Sequence, residues 1–214
     1  MTLHNHIRLH TGFHLPIRTK TPTTPDTDTD TDTASTTAAT THATAAARSL
    51  AVLRIATGFI FLWAFLDKLF GWHYATATGK GWTDGGSPTK GFLSNVSAGP
   101  LQSFFHTIAG QTWTDWTFML ALLGLGIALT TGIALRITAI GGTILMAMMW
   151  AAEWPPAQHL TNGDPSGSSN PLVDYHFLYA LAMIAFALTA AGTTWGLART
   201  WARLPLIRTT PWLQ

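Results

Sequence analysis

The chain has no cysteine and few charged residues. Without cysteine, dithiol redox chemistry, thiolate nucleophiles, cysteine-held iron–sulfur clusters and disulfides are excluded. Charged residues make up 10% of the 214 residues, whereas an ordinary soluble domain has about 25%. The net charge is only +2, so the composition gives no electrostatic support for binding nucleic acid.

Apolar residues, by contrast, make up 47% of the chain and lie in long uncharged runs. The most informative run is "RIATGFIFLWAFLDKLFGW", in which twelve residues without a formal charge separate Arg54 from Asp67. Together with the residues from Arg48 onward, it is long enough to cross the ~30 Å hydrocarbon core of a bilayer. The composition and this run therefore predict a membrane protein embedded in the lipid bilayer.

Four apolar runs predict an all-α fold, an antiparallel bundle of four transmembrane helices. We predict these spans at about 50–70, 116–135, 137–153 and 174–198. Gly132 and Arg136 mark the turn between the second and third spans, because one uninterrupted helix would be about twice as long as the membrane is thick. The segment between the first two spans is predicted to form a long outer loop that carries a short amphipathic helix over 100–109.

The ends of the chain differ from this apolar middle. A low-complexity run of threonine, aspartate and alanine predicts a disordered cytoplasmic tail over 1–47, followed by the membrane domain over 48–199 and a basic cytoplasmic tail over 200–214. The Lys and Arg residues around the spans are Arg48, Arg54, Arg136, Arg199, Arg203 and Arg208 on one side, and Lys68, Lys80 and Lys90 on the other. Because the richer side faces the cytoplasm, we predict a multi-pass protein of the cell membrane, inner or plasma, with both termini inside.

Polar residues gather at the predicted outer ends of the helices. The first helix ends with Asp67 and Lys68, the third ends with Glu153, and the fourth begins with Asp174 and His176. Antiparallel packing brings these ends together, so we expect one pocket there with carboxylates, a histidine, a lysine and aromatic walls. Mixed titratable clusters of this kind tend to have shifted pKa values and indicate a functional site.

The individual residues leave alternatives open. His176 is either a proton donor and acceptor for a quinone carbonyl, or a histidine at the water interface bonded to loop backbone. Asp174 taken alone fits a helix N-cap better than a catalytic role. Glu153 ends a helix, where its charge opposes the macrodipole, so we expect Lys68 to pair with Glu153 or with Asp67. No metal-ligand spacing and no central histidine for haem occur, so neither cofactor is predicted.

Three motifs, "RIATGFIFLWAFLDKLFG", "GGSPTKGFL" with "GPLQSFFHTIAG", and "NPLVDYHFLYAL", resemble the DoxX family of small bacterial four-helix membrane proteins. The resemblance covers about 48–199, and this form is similar to the branch related to the large membrane subunit of thiosulfate:quinone oxidoreductase. It implies a subunit that passes electrons from thiosulfate or another sulfur compound to quinone as co-substrate, with a small redox or sulfur-transfer partner subunit. The segment between Pro156 and Asn170 is longer than expected for the family, which places the shape of the outer pocket outside the family pattern.

The resemblance also selects site residues. Tyr179 follows His176 by three residues and therefore shares its helix face. The polar positions that match are Asp67, Lys68, Glu153, Asp174 and His176. We predict catalytic roles for His176, Glu153 and Asp67. We predict substrate binding by Lys68, Asp174, Tyr179 and Trp150.

Two other hypotheses about function stay open. The bundle can instead serve as a non-catalytic membrane anchor or assembly platform for redox or sulfur-handling proteins, with the outer loop as the docking surface. A proton-coupled carrier is the weakest of the three hypotheses, because only four spans are predicted and no internal repeat is visible. Quinone bound to the purified protein favours the oxidoreductase, and co-purifying soluble enzymes without quinone favour the platform.

Overall fold

The computed structural model describes the backbone of residues 28–213 and the side chains of residues 39–213 other than Pro211. Within those residues the secondary structure is helical, without a β-strand. The α-helices are α1 (Asp28–Phe70), α2 (Lys90–Ser94), α3 (Gln102–Ile108), α4 (Thr112–Thr131), α5 (Leu135–Glu153), α6 (Tyr175–Leu188), α7 (Ala198–Trp201) and α8 (Pro205–Arg208). Three helices, namely Ala39–Phe70 within α1, α4 and α5, are long and apolar enough to cross a membrane. The all-α prediction is confirmed, and the chain has the helices of a membrane protein.

The first helix begins earlier than predicted. The chain divides into two units, Met1–Thr40 and Thr41–Gln214, and the features below belong to the second. A disordered tail was predicted over 1–47; in the structure α1 begins at Asp28, and residues 1–27 lie outside the described residues. The run before Arg48 is rich in alanine, the residue with the highest helix propensity, and extending an existing helix avoids the cost of nucleation.

One apolar core joins the long helices of the second unit. Phe61 of α1, Leu125 of α4, Met146 of α5 and Met183 of α6 belong to a single buried cluster. Among α4, α5 and α6, the most extensive packing is between α5 and α6. This antiparallel pair is what brings the end of α5 to the start of α6.

Glycines on three of the long helices allow close contacts between neighbouring helices. Gly126 of α4 faces α1, where an added Cβ would lie 2.8 Å from the backbone nitrogen of Leu62. Gly58 of α1 is its counterpart, since an added Cβ would lie 2.6 Å from the backbone of α4. Gly142 of α5 faces the side chain of Met183 on α6. These glycines therefore allow α1 to pack closely against α4, and α5 against α6.

Two predicted boundaries change. The turn after α4 is at Gly132, which has a positive φ of 74°, but Arg136 lies within the first turn of α5 instead of in the turn. The fourth apolar helix, α6, ends at Leu188, well before the predicted boundary near 198. At about 1.5 Å per residue its 14 residues extend about 21 Å. The helix stops because Ala190 adopts a left-handed conformation with φ 48°, and the chain then turns around a buried arginine.

That arginine is Arg54, whose exposed fraction is 0%. Its guanidinium donates to the carbonyls of Leu129 and Thr130 at the end of α4, the latter at 3.1 Å. It also donates to the carbonyls of Thr194 and Trp195, at 3.4 and 3.0 Å. Helix C-termini favour cations, so the position suits the charge. We call Arg54 with 129–135 and 189–197 the Arg54 end.

The predicted outer loop holds α2 and α3. Phe105 of α3 is buried with Leu93, Val96 and Ala152, so α3 packs on the end of α5. Phe104 on the same helix is exposed. Beyond α6, the predicted basic tail contains α8, and the indole N–H of Trp201 donates to the carbonyl of Leu213 at 2.8 Å. Its described part is therefore folded.

Candidate functional site

The candidate site forms where α5 ends and α6 begins. Helix α5 ends at Glu153, because Trp154 takes a left-handed conformation and Pro155 follows it. Helix α6 begins directly after its N-cap, Asp174. Because α5 and α6 pack side by side, these two helix ends meet. Glu153, Asp174, Tyr175 and His176 are called the His176 cluster below.

Asp174 has two roles, one per carboxylate oxygen. Its Oδ1 accepts the backbone N–H of Phe177 at 2.9 Å, which confirms the predicted N-cap. Its Oδ2 lies 2.8 Å from Nδ1 of His176. The same Nδ1 lies 3.9 Å from Oε2 of Glu153. One imidazole nitrogen is therefore held between two carboxylates.

The tautomer of His176 follows from these contacts. An ionised carboxylate only accepts hydrogen bonds. Nδ1 of His176 therefore carries a hydrogen and donates a hydrogen bond to Asp174. The residue is 3% exposed. Its Nε2 has no hydrogen-bond partner in the part of the chain that the structure describes. This nitrogen is therefore the one that can accept or donate a proton to a bound molecule.

Tyr175 completes the cluster. Its hydroxyl donates to Oε1 of Glu153 at 2.6 Å, and its ring lies against the imidazole with 4.0 Å between the centroids of Tyr175 and His176. The charge of Glu153 at the helix end is thus balanced by this hydroxyl and by the histidine. Tyr175 was not among the predicted site residues. Its position beside His176 in the first turn of the helix could have indicated that it belongs to the site.

The predicted pairing of Lys68 with Glu153 or Asp67 does not form as a direct ion pair, although the charge of Asp67 still acts on Lys68. Among the described residues, no carboxylate oxygen lies within 4.0 Å of the Lys68 ammonium, and the nearby aromatic ring is that of Phe118, 6.0 Å away. Lys68 faces Phe118 of α4, whereas Glu153 contacts Tyr175 and His176 of α6. The pairing failed because helix ends that share one level of a bundle need not share one face.

Asp67 also lies outside the cluster. It is 1% exposed, and its two oxygens accept the backbone N–H groups of Tyr74 and Ala75 at 3.2 and 3.0 Å. These bonds hold the turn that follows α1. The structure thus gives Asp67 a structural task, and its predicted catalytic role has no geometric support.

Of the remaining predicted residues, Trp150 lies beside the cluster and Tyr179 belongs to the core. The indole N–H of Trp150 donates to the carbonyl of Leu172 at 2.9 Å, which holds the loop before α6. The ring of Tyr179 packs edge-on against Phe61 at 6.0 Å. Of the seven predicted site residues, the structure therefore brings together His176, Glu153 and Asp174, with Trp150 adjacent.

Two spaces border the cluster. A cleft of about 630 Å³ is lined by Glu153, Asp174 and Tyr175 together with polar loop residues, and no Lys or Arg stands on its described wall. A groove of about 330 Å³ is lined by His176, Trp150 and apolar residues of α5 and α6. The cluster thus has a polar cleft on its carboxylate side and an apolar groove on its imidazole side.

The longer segment between Pro156 and Asn170 forms part of the cleft. Ser168 donates its hydroxyl to the carbonyl of Pro155 at 2.7 Å, and Ser166 donates to Ala157 at 2.6 Å. Residues 166–170 line the cleft. The segment therefore forms part of the wall of this cleft.

A metal ion is compatible with the donor set. One atom from each of Glu153, Asp174 and His176 lies within 4.8 Å of the others. Two carboxylates and an imidazole are donors used for Zn²⁺ or Mn²⁺. However, Asp174 and His176 already satisfy each other, so binding would exchange existing hydrogen bonds for ligand bonds. The sequence predicted no metal, and nothing else in the described residues favours one.

Comparison with known proteins adds no assignment to this geometry. The resemblance to DoxX stays a prediction that depends on the three sequence motifs. The His176 cluster and its two neighbouring spaces are therefore the features that indicate a function. No family model, curated protein or solved structure matches this chain.

Proposed function

We propose that this protein is the quinone-binding subunit of a membrane oxidoreductase, and that the His176 cluster exchanges protons with the quinone. One observation carries the proposal: a buried imidazole borders an apolar groove, while the carboxylates that hold it border a polar cleft. A membrane-soluble ring can occupy the groove, and protons can come from the cleft. His176 connects the two.

The chemistry of quinone reduction matches this arrangement. One quinone takes up two electrons and two protons to form one quinol. Nε2 of protonated His176 donates one proton to a quinone oxygen, and Asp174 stabilises the imidazolium during the transfer. His176 then keeps its Nδ1 proton, and a proton taken up from water on the cleft side, beside Glu153, restores the imidazolium at Nε2. The second proton follows the same path after the ring is protonated again.

The groove suits a quinone ring. Its wall includes Trp150, Phe177 and Leu181, which provide aromatic and aliphatic contacts. Leu181 is exposed on the outer face of α6, so the groove is open where lipid would lie. A quinone can therefore enter sideways from the bilayer without crossing the polar cleft.

The proposed electron donor, a sulfur compound, is what the resemblance to the DoxX family implies. Two carboxylates and no cation line the cleft, so a dianion such as thiosulfate would be repelled there. We therefore place thiosulfate, or another sulfur compound, on a partner subunit that docks over the cleft. Two thiosulfates joined as one tetrathionate release two electrons, which is the number that one quinone accepts.

We also propose the four-span arrangement, with α6 as the fourth span and both termini in the cytoplasm. Helix α6 alone is too short to cross about 30 Å of hydrocarbon. The segment that follows it extends the crossing, and irregular backbone is tolerated at that depth when protein groups satisfy it. In this segment the guanidinium of Arg54 donates hydrogen bonds to the carbonyls of Thr194 and Trp195. A reporter fused after Gln214 should be active only inside the cell, and external activity would refute the topology.

The function is tested with His176→Gln, and His159→Gln, an exposed loop histidine outside the cluster, is the matched control. In membranes from cells that express the full chain, thiosulfate-dependent quinone reduction should fall about 10²- to 10⁴-fold in His176→Gln, the range of general acid–base catalysis. Quinone extracted with the purified variant should remain. The control should match the unmodified chain.

Full activity in His176→Gln would refute the role of the cluster. Absence of quinone from the folded protein, with soluble redox or sulfur-handling enzymes co-purifying, would replace the proposal by the assembly platform.

A further inference from the structure

A second cavity, of about 370 Å³, lies near the same end of the molecule as the His176 cluster but is separate from it. It lies between α4 and α5, with α2 and α3 over it. We call it the Lys68 cavity, and its wall is mainly aromatic and aliphatic, including Phe92, Phe105, Phe118 and Met148. Its volume is within the range of about 300–1,000 Å³ that ligand sites occupy.

Two polar groups on this wall lack a directly bonded partner. Within the described residues, the ammonium of Lys68 has no carboxylate within 4.0 Å, because both oxygens of Asp67 accept backbone N–H groups of the following turn, and the Asp67 charge acts on the ammonium from farther away. The hydroxyl of Thr114 is buried without a hydrogen-bond partner, on a residue that is 8% exposed. A buried polar group without a hydrogen-bond partner is unfavourable, and so is a cation in largely apolar surroundings without a direct ion pair. A ligand with a negatively charged oxygen would give Lys68 an ion-pair partner and Thr114 a hydrogen-bond acceptor.

The rim of the cavity indicates where the ligand comes from. Phe104, Trp113 and Ile144 line the cavity and are exposed. Two of them belong to, or lie against, helices with the length and hydropathy of membrane spans. An apolar rim on such helices admits a molecule from lipid rather than from water.

We propose that the Lys68 cavity binds a single-chain lipid carboxylate, of the fatty-acid class. The carboxylate pairs with the Lys68 ammonium and accepts a hydrogen bond from Thr114, and the acyl chain lies along Phe118 and Met148. Charge complementarity favours this anion over a neutral quinone. The volume favours one chain over the two chains of a phospholipid.

The chain itself offers matched variants for a test. Gly141 lines the cavity, and an added Cβ there meets no atom within 4 Å, so the side chain of Gly141→Leu starts in open space at the cavity wall. Gly124 is an equally open helical glycine that does not line the cavity. Lys68→Met removes the charge and keeps the length, and Lys80→Met removes an exposed loop charge instead.

The probe is 9,10-dibromostearate, with its methyl ester as the neutral counterpart. The delipidated full chain in mild detergent is titrated with each, and quenching of tryptophan fluorescence reports binding, since Trp113 lies on the rim. The acid should bind about 10- to 100-fold more tightly than the ester, the value expected for a hydrogen-bonded ion pair. Lys68→Met should remove that preference, and Gly141→Leu should abolish saturable quenching by both. Gly124→Leu and Lys80→Met should bind like the unmodified chain.

Three results would overturn the proposal. Equal binding of acid and ester shows that Lys68 does not select an anion. Saturable binding in a folded Gly141→Leu variant places the acid elsewhere. Displacement of the probe by a neutral short-chain quinone, but not by oleate, assigns the cavity to quinone. If Gly141→Leu does not fold, Thr114→Val serves in its place and should weaken acid binding about tenfold, the value of one hydrogen bond to a charged group.

Discussion

The two ends of the helix bundle each bury a basic side chain, but they satisfy it in opposite ways. At the Arg54 end, four backbone carbonyls from two segments accept hydrogen bonds from the guanidinium, and within the described residues no carboxylate pairs with it. At the His176 end, two carboxylates and a tyrosine hydroxyl surround an imidazole. A cleft and a groove border the imidazole, whereas the turn at Gly132 closes directly on Arg54.

This difference separates architecture from chemistry. Backbone carbonyls cannot change their protonation, so the Arg54 end has one state and serves to hold the chain. Carboxylates and an imidazole can exchange protons, so the His176 end can have several states. A guanidinium also stays charged at any accessible pH, whereas an imidazole can change its charge near neutrality. The following predictions test whether stability and activity divide between the ends in this way.

Replacing Arg54 should have the largest effect on stability. Arg54→Met leaves the carbonyls of the α4 end and of the segment after α6 without partners, so the free energy of unfolding should fall by about 3–5 kcal/mol. Unfolding by SDS in mixed micelles, followed by tryptophan fluorescence, measures this. Arg48→Met, at an exposed position on the same helix, should change it by less than about 0.5 kcal/mol. Equal losses in both variants would mean that the buried contacts do not hold the fold.

Gly132→Ala should have an intermediate effect. The residue has φ 74°, and an added Cβ would lie 2.8 Å from Nη1 of Arg54, so strain and displacement of the guanidinium should cost about 1–3 kcal/mol. Gly124→Ala, at an open helical position, should be neutral or stabilising by up to about 1 kcal/mol. The same SDS titration distinguishes them. Unchanged stability in Gly132→Ala would show that the turn tolerates a side chain beside Arg54.

Asp174 should show the smallest change in stability and a clear change in activity. Asp174→Asn keeps an N-cap acceptor but loses the charge that holds His176, so stability should stay within about 0.5 kcal/mol while quinone reduction falls about tenfold or more. Asp174→Ala should also lose about 1 kcal/mol of stability, since the cap is removed. Asp164→Asn, in the exposed loop, is the control. Full activity in Asp174→Asn would leave Asp174 as a cap only.

Local signals predicted much of the fold. The end of the first span at Phe70, the turn at Gly132 and the stop before Pro155 all follow from residues within a few positions of the boundary. The N-cap at Asp174 is of the same kind, because its acceptor and donor are three residues apart. Propensity, capping and proline geometry operate over one helical turn, so a sequence is sufficient to predict them.

Long-range contacts were not predictable in this way. Arg54 and Trp195 are 141 residues apart in sequence, and their hydrogen bond holds the segment that follows the last apolar helix. The site was predicted as one pocket, yet Lys68 lies in a separate cavity from His176. Helices that are apolar on most faces do not indicate by periodicity which face meets which neighbour.

By itself, the sequence determined that this is an all-helical membrane protein with polar residues at the helix ends, because composition and local geometry are sufficient for those conclusions. Only the tertiary structure decided which of those residues meet. The pairing of α5 with α6 places Glu153 beside His176, and the rotation of α1 turns Lys68 towards α4 and away from both. Such rotations are set by packing between distant segments, and the chemistry of the site depends on them.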